Sequence, residues 1–203
     1  TVNDGGYSLQ VDVDYDSFAF TSITAFRQNE STYINDVDFT SLDILIETNG
    51  TDIDTFTQEF RLTSTGDNKL DWMVGAFIFD ESVDTGDVLT YGQDVRPFFD
   101  VLTANPALGA LDPFLATLEG LFPTLNSGDI FSAGSIIKTD FTQQNDAYSL
   151  FVNLDYHLTD DFTATLGVSY TKDEKEVTIK QINTDKFSAI DFDTELTVFG
   201  APL

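Results

Sequence analysis

Asp12, Asp14 and Asp16 stand at every second position, the spacing with which an EF-hand calcium loop begins. That loop also needs Gly at its sixth position and Glu at its twelfth, and here those are Ser17 and Ile23. The run therefore reads as an acidic row on one face of an extended strand. Asp36 with Asp38, and Asp52 with Asp54, fall in a polar stretch where surface loops could bind calcium. Solvated acidic loops are the plainer reading. His157 is the only histidine, so neither a catalytic triad nor a multi-histidine metal site can be built around it. Asp160 and Asp161 are turn residues by type. There is no cysteine, hence no thiolate ligand, nucleophile or disulfide. Asn29-Glu30-Ser31 and Asn49-Gly50-Thr51 match the glycosylation sequon, as a chain of this length does by chance. Phosphate-binding glycine loops and nucleophile elbows are absent, and no pair of carboxylates has a spacing that fixes acid–base geometry. The expectation is a protein that is not an enzyme, with no catalytic, cofactor-binding or metal residue and no cofactor.

Composition narrows the partners. The 203 residues include 35 acidic and 9 basic ones, a formal charge of −26. Nucleic acid requires a basic surface and is excluded as a partner. Basic patches for anionic lipid are lacking too. With 41% hydrophobic residues and 19 Phe, 7 Tyr and 1 Trp, the chain is no disordered acidic tail. No apolar run is long enough for a membrane helix, which leaves strand-built membrane proteins open. Thr1 is not a start residue, and no signal peptide opens the chain. An internal fragment or processed product is expected.

The elements that must position these side chains are strands. Over 146–172, Tyr148, Leu150, Val152, Leu154, Tyr156 and Leu158 alternate with Ser149, Phe151, Asn153, Asp155 and His157. After Thr159, Asp160 and Asp161, Phe162, Ala164, Leu166, Val168 and Tyr170 alternate with Thr163, Thr165, Gly167, Ser169 and Thr171. Period two places each set on one face. A three-residue loop pairs Leu158 with Phe162 and Leu150 with Tyr170, apolar to apolar throughout. A loop one residue shorter would set apolar against polar. From Tyr148 to Tyr156 the strand runs roughly 26 Å at ~3.3 Å per residue. Tilted by ~40°, it spans about 20 Å of depth, near the ~25 Å apolar band of an outer-membrane barrel. Aromatics near the ends of an apolar face and polar residues behind it are that architecture's design. A soluble sandwich also alternates, so this hairpin alone does not decide.

A second hairpin of the same design runs over 7–28. A two-residue turn at Asp16 and Ser17 pairs Tyr15 with Phe18, Val13 with Phe20, Val11 with Ser22, Leu9 with Thr24 and Tyr7 with Phe26. Residues 29–54 read as a long acidic loop, with extended structure around 41–47. Residues 55–64 put Phe56, Phe60 and Leu62 on one face, interrupted by Gln58. Residues 64–69 form a turn, and 70–80 are an apolar run. There Leu70, Trp72, Val74, Ala76 and Ile78 are assigned to lipid, because Gly75 suits a crowded interior. Residues 81–139 hold four of the five prolines and form a long connection. Asn105-Pro106 and Asp112-Pro113 read as helix starts, and FLATLE from Phe114 as a short helix stopped at Gly120. Residues 98–125 read as a loop that packs on itself, with contact to a ligand at the barrel mouth as the other reading. Residues 173–203 continue past the last hairpin into a polar loop. Short links (16–17, 64–69, 159–161) thus alternate with long ones (29–54, 81–139). Outer-membrane barrels do this, with short periplasmic turns and long extracellular loops.

FTSITAFR at 20–27, TFTQEFRLTS at 55–64, LDWMVGAFIFDE at 70–81 and AYSLFVNLDYHLTDDFTATLGVSYTKDEKE at 147–176 resemble the barrel of TonB-dependent outer-membrane receptors. The resemblance covers most of the chain outside the two long loops. It implies a 22-stranded barrel with an N-terminal plug. It also implies import of a scarce nutrient, most commonly an iron-siderophore complex, driven by the TonB system. On this reading, residues 1–203 are a partial barrel domain in the cell outer membrane, without plug, TonB box or C-terminal barrel strands. The expected fold is all-β, an antiparallel meander of about six strands in an open curved sheet, with short helices in one long extracellular loop. Expected partners are outer-membrane lipid, the TonB system through the missing plug, and a small-molecule ligand such as a siderophore complex. Six strands do not close a barrel. A passive porin is the alternative, and a secreted soluble β-sheet binding module a third.

Overall fold

The structure is a computed structural model, and it describes residues 1–103, 114–190, 197–198 and 201–202. Six strands form one antiparallel meander in the order β1-β2-β3-β4-β5-β6. They are β1 (Val2–Asp14), β2 (Phe18–Asp36), β3 (Leu45–Ser64), β4 (Leu70–Tyr91), β5 (Ile136–Thr159) and β6 (Phe162–Asn183). β1 and β6 are the two edges, so the sheet is open. Two helices, α1 (Val95–Thr103) and α2 (Phe114–Glu119), lie between β4 and β5. A 3-10 turn at Lys186–Ala189 follows β6, and the two-residue strands β7 (Thr197–Val198) and β8 (Ala201–Pro202) pair with each other.

The expected registers are present. β1 pairs with β2 through Tyr7↔Phe26, Leu9↔Thr24, Val11↔Ser22 and Val13↔Phe20. Tyr15 N–H donates to Phe18 O to close the turn. Between β5 and β6, hydrogen bonds join Ser149 to Thr171, Asp155 to Thr165 and His157 to Thr163. These are opposite partners only in the register that sets Leu158 against Phe162. The turn between β3 and β4 bends at Gly66, whose φ of 94° is a conformation that favours glycine.

The strands are longer than the apolar pattern suggests. The loop expected over 29–54 shrinks to 37–44, because β2 continues to Asp36 and β3 starts at Leu45. The connection expected over 81–139 shrinks to 92–135. β6 likewise extends to Asn183. A strand paired within a sheet needs no continuous apolar face to stay extended. A neighbour that shares the ladder hydrogen bonds is enough, and it carries extensions rich in Asp, Asn and Glu whose own strand propensity is low. α1 begins at Val95, in a stretch without a helix start in the sequence reading. The expected starts at Asn105 and Asp112 lie outside the described residues.

The chain groups into two compact units. Unit 1 comprises Thr1–Ser31, Thr51–Thr85 and Phe141–Thr178, and unit 2 comprises Thr32–Gly50, Gly86–Asp140 and Ile179–Leu203. The short links belong to unit 1 and the longer ones to unit 2. Among the described residues, the buried hydrophobic side chains are Ile44, Val95, Leu115, Phe122, Ile130 and Ile190, and all six lie in unit 2. Unit 1 is a single layer of sheet without a core of its own.

Candidate functional site

The first candidate surface is the apolar face of unit 1. Leu9 is 63% exposed, Leu166 61% and Val168 64%. Leu70, Val74 and Ile78 of β4 are exposed with them, which places Gly75 on the opposite face as expected. Phe151 lies against Gly75 there, and a Cβ at position 75 would collide with its ring. Aromatic pairs frame the first hairpin, with Tyr7 and Phe26 rings 5.6 Å apart at one end and Tyr15 and Phe18 4.6 Å apart at the other. Tyr148 and Tyr170 make a corresponding pair in the last hairpin, at 6.3 Å. Lys69 sits 5.4 Å over the ring of Tyr156 near the turns. Gln58, the polar interruption of β3, accepts from Thr24 Oγ1 at 2.5 Å. Its amide donates to Ser22 Oγ, Ile23 O and Glu59 O. The polar cluster around Gln58 thus satisfies itself within the sheet.

The opposite face of unit 1 is mixed: it carries Ile23, Met73, Phe77, Phe79 and Phe151 in its middle, and polar side chains that pair with one another. Asp12 accepts from Thr21 Oγ1 (2.7 Å) and Gln10 (2.8 Å). Arg27 makes a two-point contact with Asp4, and Arg61 contacts Glu59. His157 bridges three strands, with Nε2 2.8 Å from Asp71 Oδ2 and Nδ1 2.9 Å from Thr163 Oγ1. The candidate metal row does not converge. Asp12 is tied to strand neighbours, while Asp16 lies in the turn, where its carbonyl accepts from Thr65 Oγ1. Among the described residues, no three His, Asp or Glu side chains are placed to hold a metal ion. The turns themselves are stitched together: Thr65 N–H donates to Ser17 O and His157 N–H to Lys69 O.

In unit 2 the acidic pair at 36 and 38 has structural work. Asp38 accepts from Thr40 Oγ1 and from the amides of Thr40, Ile44 and Leu45. The Thr40 hydroxyl and then the Leu45 amide hold its carboxyl at a pKa of about 2. Asp52 and Asp54, expected in a loop, lie within β3 in unit 1, and each has an enclosed carboxylate oxygen without a hydrogen-bond partner.

The described part of the connection 92–135 folds around an ion pair that sequence reading missed. Arg96 grips both carboxylate oxygens of Glu119, at 2.7 and 2.8 Å, and donates to Ile130 O. Glu119, 2% exposed, also accepts from the amides of Gly128 and Ile130. Burial pushes this carboxyl up, but the Arg96 guanidinium and the two amides together hold it below its usual range. Leu115, Phe122 and Ile130 pack as its core, and Phe131 stacks on Phe99 at 4.8 Å. Over the described part of 98–125, Leu115 and Phe122 are buried while Phe98, Val101, Leu102 and Leu121 are exposed. α1 was legible in part: Val95, Phe99 and Leu102 follow helical spacing, and Pro97 falls in a first turn, which tolerates proline.

No family model matches the sequence, and no curated protein matches it. Among solved structures, the ferric yersiniabactin uptake receptor FyuA of Yersinia pestis is similar in fold, with a TM-score of 0.50 and 13% sequence identity. The match covers 88% of this chain and 25% of that one, so the chain spans about a quarter of the receptor's length. At that identity the likeness is one of fold: six meandering antiparallel strands in an open sheet, matching part of a receptor barrel.

Proposed function

We propose that residues 1–203 form part of the barrel wall of an outer-membrane TonB-dependent receptor, which binds and actively imports a scarce nutrient such as an iron-siderophore complex. The observation that carries this reading is the exposed apolar face of unit 1, framed by aromatic pairs and backed by a face that carries the paired polar side chains, in a unit that buries no hydrophobic side chain. In water each exposed Val, Leu, Ile or Phe forgoes roughly 1.5–3 kcal/mol of burial. In a bilayer the same face is solvated by acyl chains, and the antiparallel ladder satisfies the backbone within the sheet. The sequence resemblance and the fold likeness to an uptake receptor support the same assignment. Lipid, the TonB system and a small-molecule ligand are the partners that go with it, and the opposite face is the one that looks into the lumen.

Two measurements test the proposal on the parent protein. Fractionation is expected to recover it in the outer membrane, released only by detergent, and recovery in a soluble periplasmic fraction would overturn the barrel. Deletion of the parent gene is expected to abolish uptake of its nutrient, with the same loss when TonB is removed. Uptake that persists without TonB would instead favour a passive porin.

A further inference from the structure

A second exposed apolar surface lies in unit 2, at the tip of the β2–β3 hairpin. Phe39 is 91% exposed and Ile34 69%, and Leu42 and Ile46 are exposed as well. Phe39 also has φ 58°, a left-handed conformation that a bulky side chain adopts only at a cost in free energy. Glycine or asparagine would suit that backbone better, and a polar residue would suit that exposure better. The loop nevertheless holds the position firmly. The Asp38 carboxylate accepts the amides of Thr40, Ile44 and Leu45, and Thr40 Oγ1 accepts the Leu42 amide. Ile44 anchors the loop by burial. Beside this projection is a groove of about 290 Å³, lined by Leu42 and Ile46 together with Asp36, Asp38 and Asp43.

We propose that this hairpin tip is a docking site for a cationic polypeptide segment in which basic and apolar side chains alternate. Charge selects the occupant: between Arg27 and Arg61 the chain carries no Lys or Arg, and Asp36, Asp38 and Asp43 line the groove beside the apolar tip. A pre-organised, exposed aromatic beside a groove gives an anchor with little ordering cost on binding. The groove takes one side chain of the segment, its carboxylates favour a basic neighbour, and Phe39 packs on the next apolar residue.

The test uses the full parent protein in detergent and a fluorescently labelled octapeptide of alternating Lys and Phe, read by anisotropy. Phe39→Gly removes the anchor, leaves the charge unchanged and relieves the left-handed backbone. It is expected to raise Tm while weakening peptide binding at least tenfold, and Phe39→Asn, which also tolerates that conformation, should weaken binding equally. A peptide of alternating Ser and Phe is expected to bind at least tenfold more weakly than the Lys peptide. Binding within twofold of wild type by both Phe39 variants, or equal binding of the uncharged peptide, would overturn the proposal.

Discussion

Position 75 has no side chain because Phe151 occupies the space one would need. Gly75→Ala is expected to destabilise the barrel by about 1–3 kcal/mol through overpacking, measured by urea unfolding in micelles. In a Phe151→Ala background most of that cost should vanish, since the two residues share one volume. Glu119→Gln leaves the Arg96 guanidinium half-paired in a largely enclosed site and is expected to cost about 2–4 kcal/mol locally. Faster hydrogen exchange at the Gly128 and Ile130 amides, which Glu119 accepts, would report it. Acid should act on the Asp38 loop late. Its folded pKa is depressed from 3.8 to about 2, so its contribution is complete above 3.8 and is lost as pH falls through about 2. Exchange protection of the Leu45 amide is expected to persist at pH 4 and to collapse toward pH 2. Gly75 was legible in the sequence because a lone glycine in an apolar run asks for a neighbour to fill its place. Asp38 was not, since a string of letters shows a carboxylate but not the four donors that claim it. The partners Arg96 and Glu119 are 23 residues apart, and only the tertiary fold brings them together.

At the level of elements, register decides which face meets which medium. One residue inserted between Asp160 and Asp161 would exchange the faces of β6 and present Thr165, Gly167 and Ser169 where Leu166 and Val168 now stand. Such a variant is expected to fail to assemble into the membrane, while a two-residue insertion keeps the faces and should assemble, as judged by heat-modifiable migration of the folded barrel. Leu166→Arg is expected to cost about 2–4 kcal/mol near mid-band, and Thr165→Arg, one position away on the polar face, should cost far less. Hairpin registers were readable because alternation within 7–26 and 148–170 fixes the face of each residue, and the short turns at 16–17 and 159–161 then select among the pairings that keep those faces. Strand ends were not readable, because beyond the aromatic pairs β2 to β6 carry mixed polar residues on both faces. There the ladder to a neighbouring strand, rather than any pattern in one strand, sustains the extended chain.

The whole chain exposes 13264 Å², where a folded monomer of this mass typically exposes about 9,500 Å². The excess fits a sheet whose unit 1 holds no buried hydrophobic side chain; on the proposed reading, lipid covers its apolar face. The central claim is therefore a two-sided wall, lipid on one face and water on the other, and β6 offers the most direct measurement. Residues 1–203 contain no cysteine, so single cysteines placed at each position from 162 to 170, in a parent protein with any cysteine elsewhere replaced, can carry spin labels. In outer-membrane vesicles, labels at 164, 166 and 168 are expected to be quenched by oxygen, which concentrates in lipid. Labels at 163, 165 and 167 should respond instead to a water-soluble nickel relaxant. A period-two pattern of that sign is the result the wall predicts; equal access of the nickel relaxant to both sets of positions would contradict it.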